Sequence, residues 1–102
     1  METMKVINLN EIRPNQYERN IERYGEDGCL ICGKPMTEKD WQACKKVHYL
    51  PNGDITDSMA LEGVIPESMD LGWWMVGCTC YKNFLKASRE VAVKTWRVEN
   101  NF

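Results

Sequence analysis

Four cysteines and one histidine carry the chemistry legible in this chain. Cys29 and Cys32 stand two residues apart with Gly33 directly behind them. That spacing lets the backbone fold back so that both sulfurs face one point, while the N–H groups after the turn stabilise the thiolates. A divalent ion such as Zn²⁺ needs about four soft or borderline ligands in a tetrahedron, so a second pair must come from across the fold. Three residues compete for those two places: His48, Cys78 and Cys80. Of the three, Cys80 is the strongest candidate, because it stands at the start of a predicted helix, where the partial positive charge favours thiolate. The cysteines total five, an odd number that no set of internal disulfides can exhaust, and no export signal points to an oxidising compartment. Reduced thiols, and metal ligation by them, are the expectation. Cys44 lies four residues before His48, but on a strand that separation is about 13 Å, too far for a cysteine–histidine nucleophile, and Cys44 reads as a core residue.

The elements that must position these residues are short. Met4 to Leu9 is either a strand or a lead-in to Arg13-Pro14. Residues 15–24 predict a helix, with Asn15 as cap, Glu18 three residues on, Tyr17, Ile21 and Tyr24 on one face, and Gly25 at the end. Cys29 to Pro35 is a tight turn. The stretch from Trp41 to Leu50 reads as a strand leading into an Asn52-Gly53 hairpin turn, with a return strand from Ile55. Residues 55–72 form a long, partly irregular segment interrupted by Gly63 and Pro66. Trp73 to Val76 predicts a short buried strand bounded by Gly72 and Gly77, and from Cys80 onward an amphipathic helix presents Tyr81, Phe84 and Leu85 on one face. The tail, residues 90–98, reads as a last strand in preference to a helical continuation, because Val91, Val93 and Thr95 alternate.

The chain has 102 residues, 43% of them hydrophobic, which fits one domain (residues 1–102) with a modest core and argues against disorder. With 13 basic and 15 acidic side chains, a net charge of −2 excludes a uniformly basic nucleic-acid-binding surface. No apolar run approaches the ~20 residues of a membrane span, so no membrane association and a cytoplasmic location are expected. The charges are segregated. Asp57, Glu62, Glu67 and Asp70 fall in a stretch without a base, whereas Lys82, Lys86 and Arg89 cluster on the predicted helix.

Taken in order, Cys29-x-x-Cys32-Gly33-Lys34, then Val47-His48-Tyr49 with a following Gly53, then Val76-Gly77-x-x-Cys80-Tyr81-Lys82, the motifs resemble small uncharacterised zinc-binding proteins of phages and bacterial mobile elements. The resemblance spans residues 29–86. It implies one zinc held by Cys29, Cys32, His48 and Cys80, with Cys78 free. The chain departs from that pattern in its extra Cys78, its longer acidic segment and its N-terminal helix. A turn, a hairpin and a helix with a ligand in its first turn are also similar to treble-clef zinc domains; on that analogy Cys78 replaces His48.

The expected fold is therefore α+β: a small treble-clef-like domain with a short antiparallel sheet, a zinc-binding core over residues 28–98 and a helical extension over residues 1–27. The metal is expected to be structural, since no His-Glu-x-x-His occurs and at least four ligands are on offer, so the chain is not expected to be an enzyme. Its expected role is a protein-binding module, such as a mobile-element inhibitor of a host system, that uses Asp57, Glu62, Glu67 and Asp70. The alternatives are nucleic-acid binding through the basic helix 80–89, with Lys82, Lys86 and Arg89 on phosphates, and a small zinc enzyme with an open metal position.

Overall fold

A computed structural model describes residues 2–43 and 45–102. Cys44, read as a core residue, lies outside them. Five antiparallel strands form one sheet in the order β4-β2-β3-β1-β5. They are β1 (Thr3–Asn8), β2 (Lys45–Tyr49), β3 (Asp54–Thr56), β4 (Trp73–Val76) and β5 (Arg89–Ala92). The helices are α1 (Leu9–Ile12), α2 (Tyr17–Tyr24), α3 (Glu38–Ala43), α4 (Cys78–Ala87) and α5 (Val93–Glu99).

Side chains alternate across a strand, and here each face of the sheet carries its own core. On one face Ile7 and Leu9, Val47, Ile55 and Val76 gather with Cys29, Ile31 and Phe84. On the other, Met4 and Val6 pack with Leu50, Leu61, Ile65, Val93 and Trp96. The Cys-x-x-Cys turn and α4 cover the first face. The irregular segment after β3 and the terminal helix α5 cover the second, anchored by Leu61 and Trp96, both fully buried. Trp96 also donates its indole N–H to Asp54 Oδ2 at 2.9 Å, which satisfies the one polar atom that burying an indole requires.

The hairpin stands where Asn52-Gly53 places it, closed by Leu50 N–H to Asp54 O at 2.8 Å, with Gly53 at φ 91°. Four elements differ from their sequence reading. The first strand is internal: β1 pairs β3 through Val6–Thr56 and β5 through Met4–Val91. Residues 1–27 therefore do not form a helical extension on a separate core, because the sheet is incomplete without β1. Trp41 to Ala43 belong to α3, not to a strand; Thr37 and Asp40 cap it reciprocally, Asp40 N–H on Thr37 Oγ1 and Thr37 N–H on Asp40 Oδ2. Helix α2 starts one turn-bond later than Asn15, after Tyr17 N–H closes on Pro14 O, and Gln16 makes no side-chain cap. The tail divides, its first half pairing with β1 and its second half forming α5, so Arg89 sits on a strand and not on the basic helix. No described helix is long and apolar enough to cross a membrane.

Candidate metal centre

Three elements build the site: the loop after α2, the junction of β4 with α4, and α2 itself as a brace. The loop is closed by Cys29 N–H to Lys34 O at 3.0 Å and Gly33 N–H to Cys29 O at 2.9 Å. Gly33 takes φ 76°, and a Cβ there would stand 3.2 Å from Asn20, Ile21 and Tyr17, so glycine is required both for the turn and for the close approach of α2. Asn20 fastens the turn by donating its amide to Cys32 O at 2.8 Å. Arg13 fastens the other side, donating Nη2 to Leu30 O at 3.3 Å while its guanidinium lies 3.8 Å over the Tyr17 ring. Leu30 N–H to Met75 O, at 3.1 Å, ties the loop to edge strand β4.

This scaffold brings the Sγ atoms of Cys29, Cys32 and Cys80 within 4.8 Å of one another, a grouping that could hold a metal ion. Cys80 reaches it from the first turn of α4. Gly77, just before that helix, donates its N–H to Cys29 Sγ at 3.3 Å. The three thiols share protons unequally. Hydrogen bonds from Cys32 and then Cys80, helped by Gly77 N–H, hold the Cys29 thiol well below its usual range and make it the first of the three to ionise. The same contacts push Cys32 and Cys80 up, because Cys29 needs their protons and its charge opposes a second ionisation. For all three sulfurs to ionise together at this spacing, a cation would have to sit among them. The three cysteines line a cleft of about 580 Å³ whose wall also includes Cys78, Lys34 and Asp40.

His48, implied as a ligand by the resemblance, is not brought to this cluster. It is fully buried on β2, one residue out of register with Val47, which packs in the same core as Cys29. Its Nε2 bonds Asp70 Oδ1 at 2.8 Å, its ring stacks on Trp73 at 5.0 Å, and its Nδ1 has no partner among the described residues. The single-residue offset sends the ring to the opposite face of the sheet. Cys78, the alternative, also stands apart: it is exposed, and its thiol donates to Ala43 O at 3.4 Å.

Three of the four acids expected to face a partner hold internal contacts instead. Asp57 accepts from the Tyr81 hydroxyl at 3.3 Å, Glu62 from the Trp73 indole at 3.2 Å, and Asp70 from Gly72 N–H and His48. They fasten the irregular segment to α4, β4 and β2; only Glu67 has no such contact among the described residues. Lys82 and Lys86 are exposed on α4, and Arg89 on β5. The bracing roles of Arg13 and Asn20 carry no motif in sequence, since any polar side chain one turn apart on a helix looks the same. No family model, curated protein or solved structure matches the chain. Fold and site together define an α+β protein with a five-stranded antiparallel sheet and a three-cysteine cluster able to hold a metal ion.

Proposed function

We propose that the chain is a zinc-stabilised binding module whose partner is a protein. The three-sulfur cluster carries the metal half of this reading. Tetrahedral zinc with bonds of ~2.3 Å sets its sulfurs about 3.8 Å apart, which three sulfurs all within 4.8 Å of one another can meet. Thiolate ligands favour zinc or another soft ion over magnesium or calcium. The ion would join the loop after α2 to the start of α4, and coordination in small sites of this kind contributes on the order of 10 kcal/mol. That is comparable with the whole stability of a domain this size, roughly 5–15 kcal/mol.

Binding is favoured over catalysis by what surrounds the sulfurs. Apart from the cysteines, the only titratable side chains lining the cleft among the described residues are Lys34 and Asp40, and Asp40 is held by Thr37. The sole histidine is turned away on the other face. The protein half is supported by exposed Met59, Met69, Leu71 and Trp74, apolar side chains in and beside the acidic segment. Elemental analysis with thermal unfolding before and after a chelator tests the metal: one tight zinc per chain and a large fall in melting temperature are expected. No zinc and no effect of chelation would refute it.

A further inference from the structure

We infer that Cys44, and not a core position, is the fourth ligand of this centre, so that Cys29, Cys32, Cys44 and Cys80 hold the ion in a closed four-sulfur site. This rests on the metal reading above. Cys44 lies outside the described residues, but Ala43 and Lys45 on either side of it are placed, and consecutive Cα atoms stand about 3.8 Å apart. Two independent counts from those neighbours end at the cluster. Along the sheet, β2 pairs β4 with Lys45 opposite Val76, so one further step of the register sets position 44 against Gly77. Gly77 is the residue whose N–H reaches Cys29 Sγ at 3.3 Å, and it leads directly into the helix that carries Cys80. Along α3, Asp40 lines the cleft beside the three sulfurs, and position 44 follows it by four residues, the spacing that keeps side chains on one stripe of a helix. Ala43, the last residue of α3, meets the same cleft wall, since its carbonyl accepts from Cys78 Sγ at 3.4 Å.

The chain has five cysteines and one histidine, and the two remaining candidates are committed elsewhere. Cys78 and Cys80 are the first and third residues of α4, and two residues of helix turn side chains about 200° apart, so both cannot face one ion while the helix is intact. Cys78 is accordingly engaged with the Ala43 carbonyl. His48 is held by Asp70 on the other face of the sheet. The alternation that turns His48 away does not extend to Cys44, which stands between the end of α3 at Ala43 and the start of β2 at Lys45. Four thiolates on a divalent ion leave two net negative charges, and Lys34 on the cleft wall and the Gly77 N–H offset them. Four-cysteine coordination is one of the standard closed structural sites of zinc. The ion would then join three pieces of chain, the loop after α2, the start of α4 and the link from α3 to β2, and leave no position open for a substrate.

The test is X-ray absorption at the zinc edge of the full chain loaded with one zinc per chain, on wild type, Cys78→Ser and Cys44→Ser, counting the sulfurs bonded at about 2.3 Å. Four sulfurs are expected in wild type and in Cys78→Ser, and three with one lighter neighbour in Cys44→Ser. Cys78→Ser decides the matter even if Cys44→Ser fails to fold. That variant keeps only Cys29, Cys32, Cys44 and Cys80, so four sulfurs per zinc at one zinc per chain require every one of them, Cys44 included. Three sulfurs and a nitrogen or oxygen in wild type would overturn the inference. So would a fall to three sulfurs in Cys78→Ser, which would assign the fourth bond to Cys78. A wild-type chain that takes up no zinc would remove the metal reading itself, a result distinguishable from the others because no zinc edge is seen.

Discussion

Gly28→Ala strikes the metal loop from outside its ligands. A Cβ at Gly28 would stand 2.2 Å from the Lys34 carbonyl oxygen and 2.8 Å from its carbon, both backbone atoms that no rotamer change relieves. Ordinary contact demands a retreat of about 1 Å, which stretches the 3.0 Å bond from Cys29 N–H to that same oxygen beyond hydrogen-bonding range. Overpacking strain of about 1–3 kcal/mol and a lost buried hydrogen bond worth about 0.5–1.5 kcal/mol sum to roughly 2–4 kcal/mol. If the metal-free loop relaxes around the methyl group, that cost is levied on metal binding, a loss of about 30- to 700-fold in affinity by chelator competition. Gly77→Ala is the control on the opposite side of the cluster. Its Cβ meets nothing within 4 Å, and the change should cost less than about 1 kcal/mol, as for a poor helix cap. Zinc affinity of Gly28→Ala within threefold of wild type, or an equal loss in Gly77→Ala, would refute the loop geometry argued here.

Cys80→Ser should abolish stoichiometric tight zinc binding while Cys78→Ser retains it, read by elemental analysis after dialysis. Asp70 supplies a pH test on the metal-free protein. Burial alone would raise its carboxyl, but hydrogen bonds from Gly72 N–H and His48 outweigh this and hold it below the usual 3.8. A depressed folded value means stabilisation that is complete above the ordinary carboxylate range and lost as pH falls through the lowered value. The melting-temperature gap between wild type and Asp70→Asn should thus be open at pH 6 and narrow below about pH 4; a gap independent of pH would count against the pairing. Trp96→Phe removes the 2.9 Å bond to the buried Asp54 carboxylate and should cost about 1.5–3 kcal/mol by denaturant titration. Thr37→Ala should loosen α3 by about 1 kcal/mol through loss of its reciprocal cap, seen as faster amide exchange over residues 38–43 and little change elsewhere.

Local chemistry in the chain was enough for several elements. Cys29-x-x-Cys32-Gly33 dictates a fold-back because only a residue free to take φ 76° completes it, and Asn52-Gly53 dictates a hairpin for the same kind of reason. Cys80 is singled out by its place at a helix start, and the structure brings its sulfur to those of Cys29 and Cys32. Tertiary structure decided what periodicity over four to six residues cannot. Met4 to Leu9 became an internal strand because β3 and β5 close on both its edges, a pairing that no nearby residue encodes. The fate of His48 turned on one residue of register: Val47 packs in the core that contains Cys29, so the next side chain points through the sheet to Asp70 and Trp73. Sequence names the residue types that can bind a metal. Which of them meet is set by the face of the sheet each one occupies, and in a strand adjacent residues always occupy opposite faces.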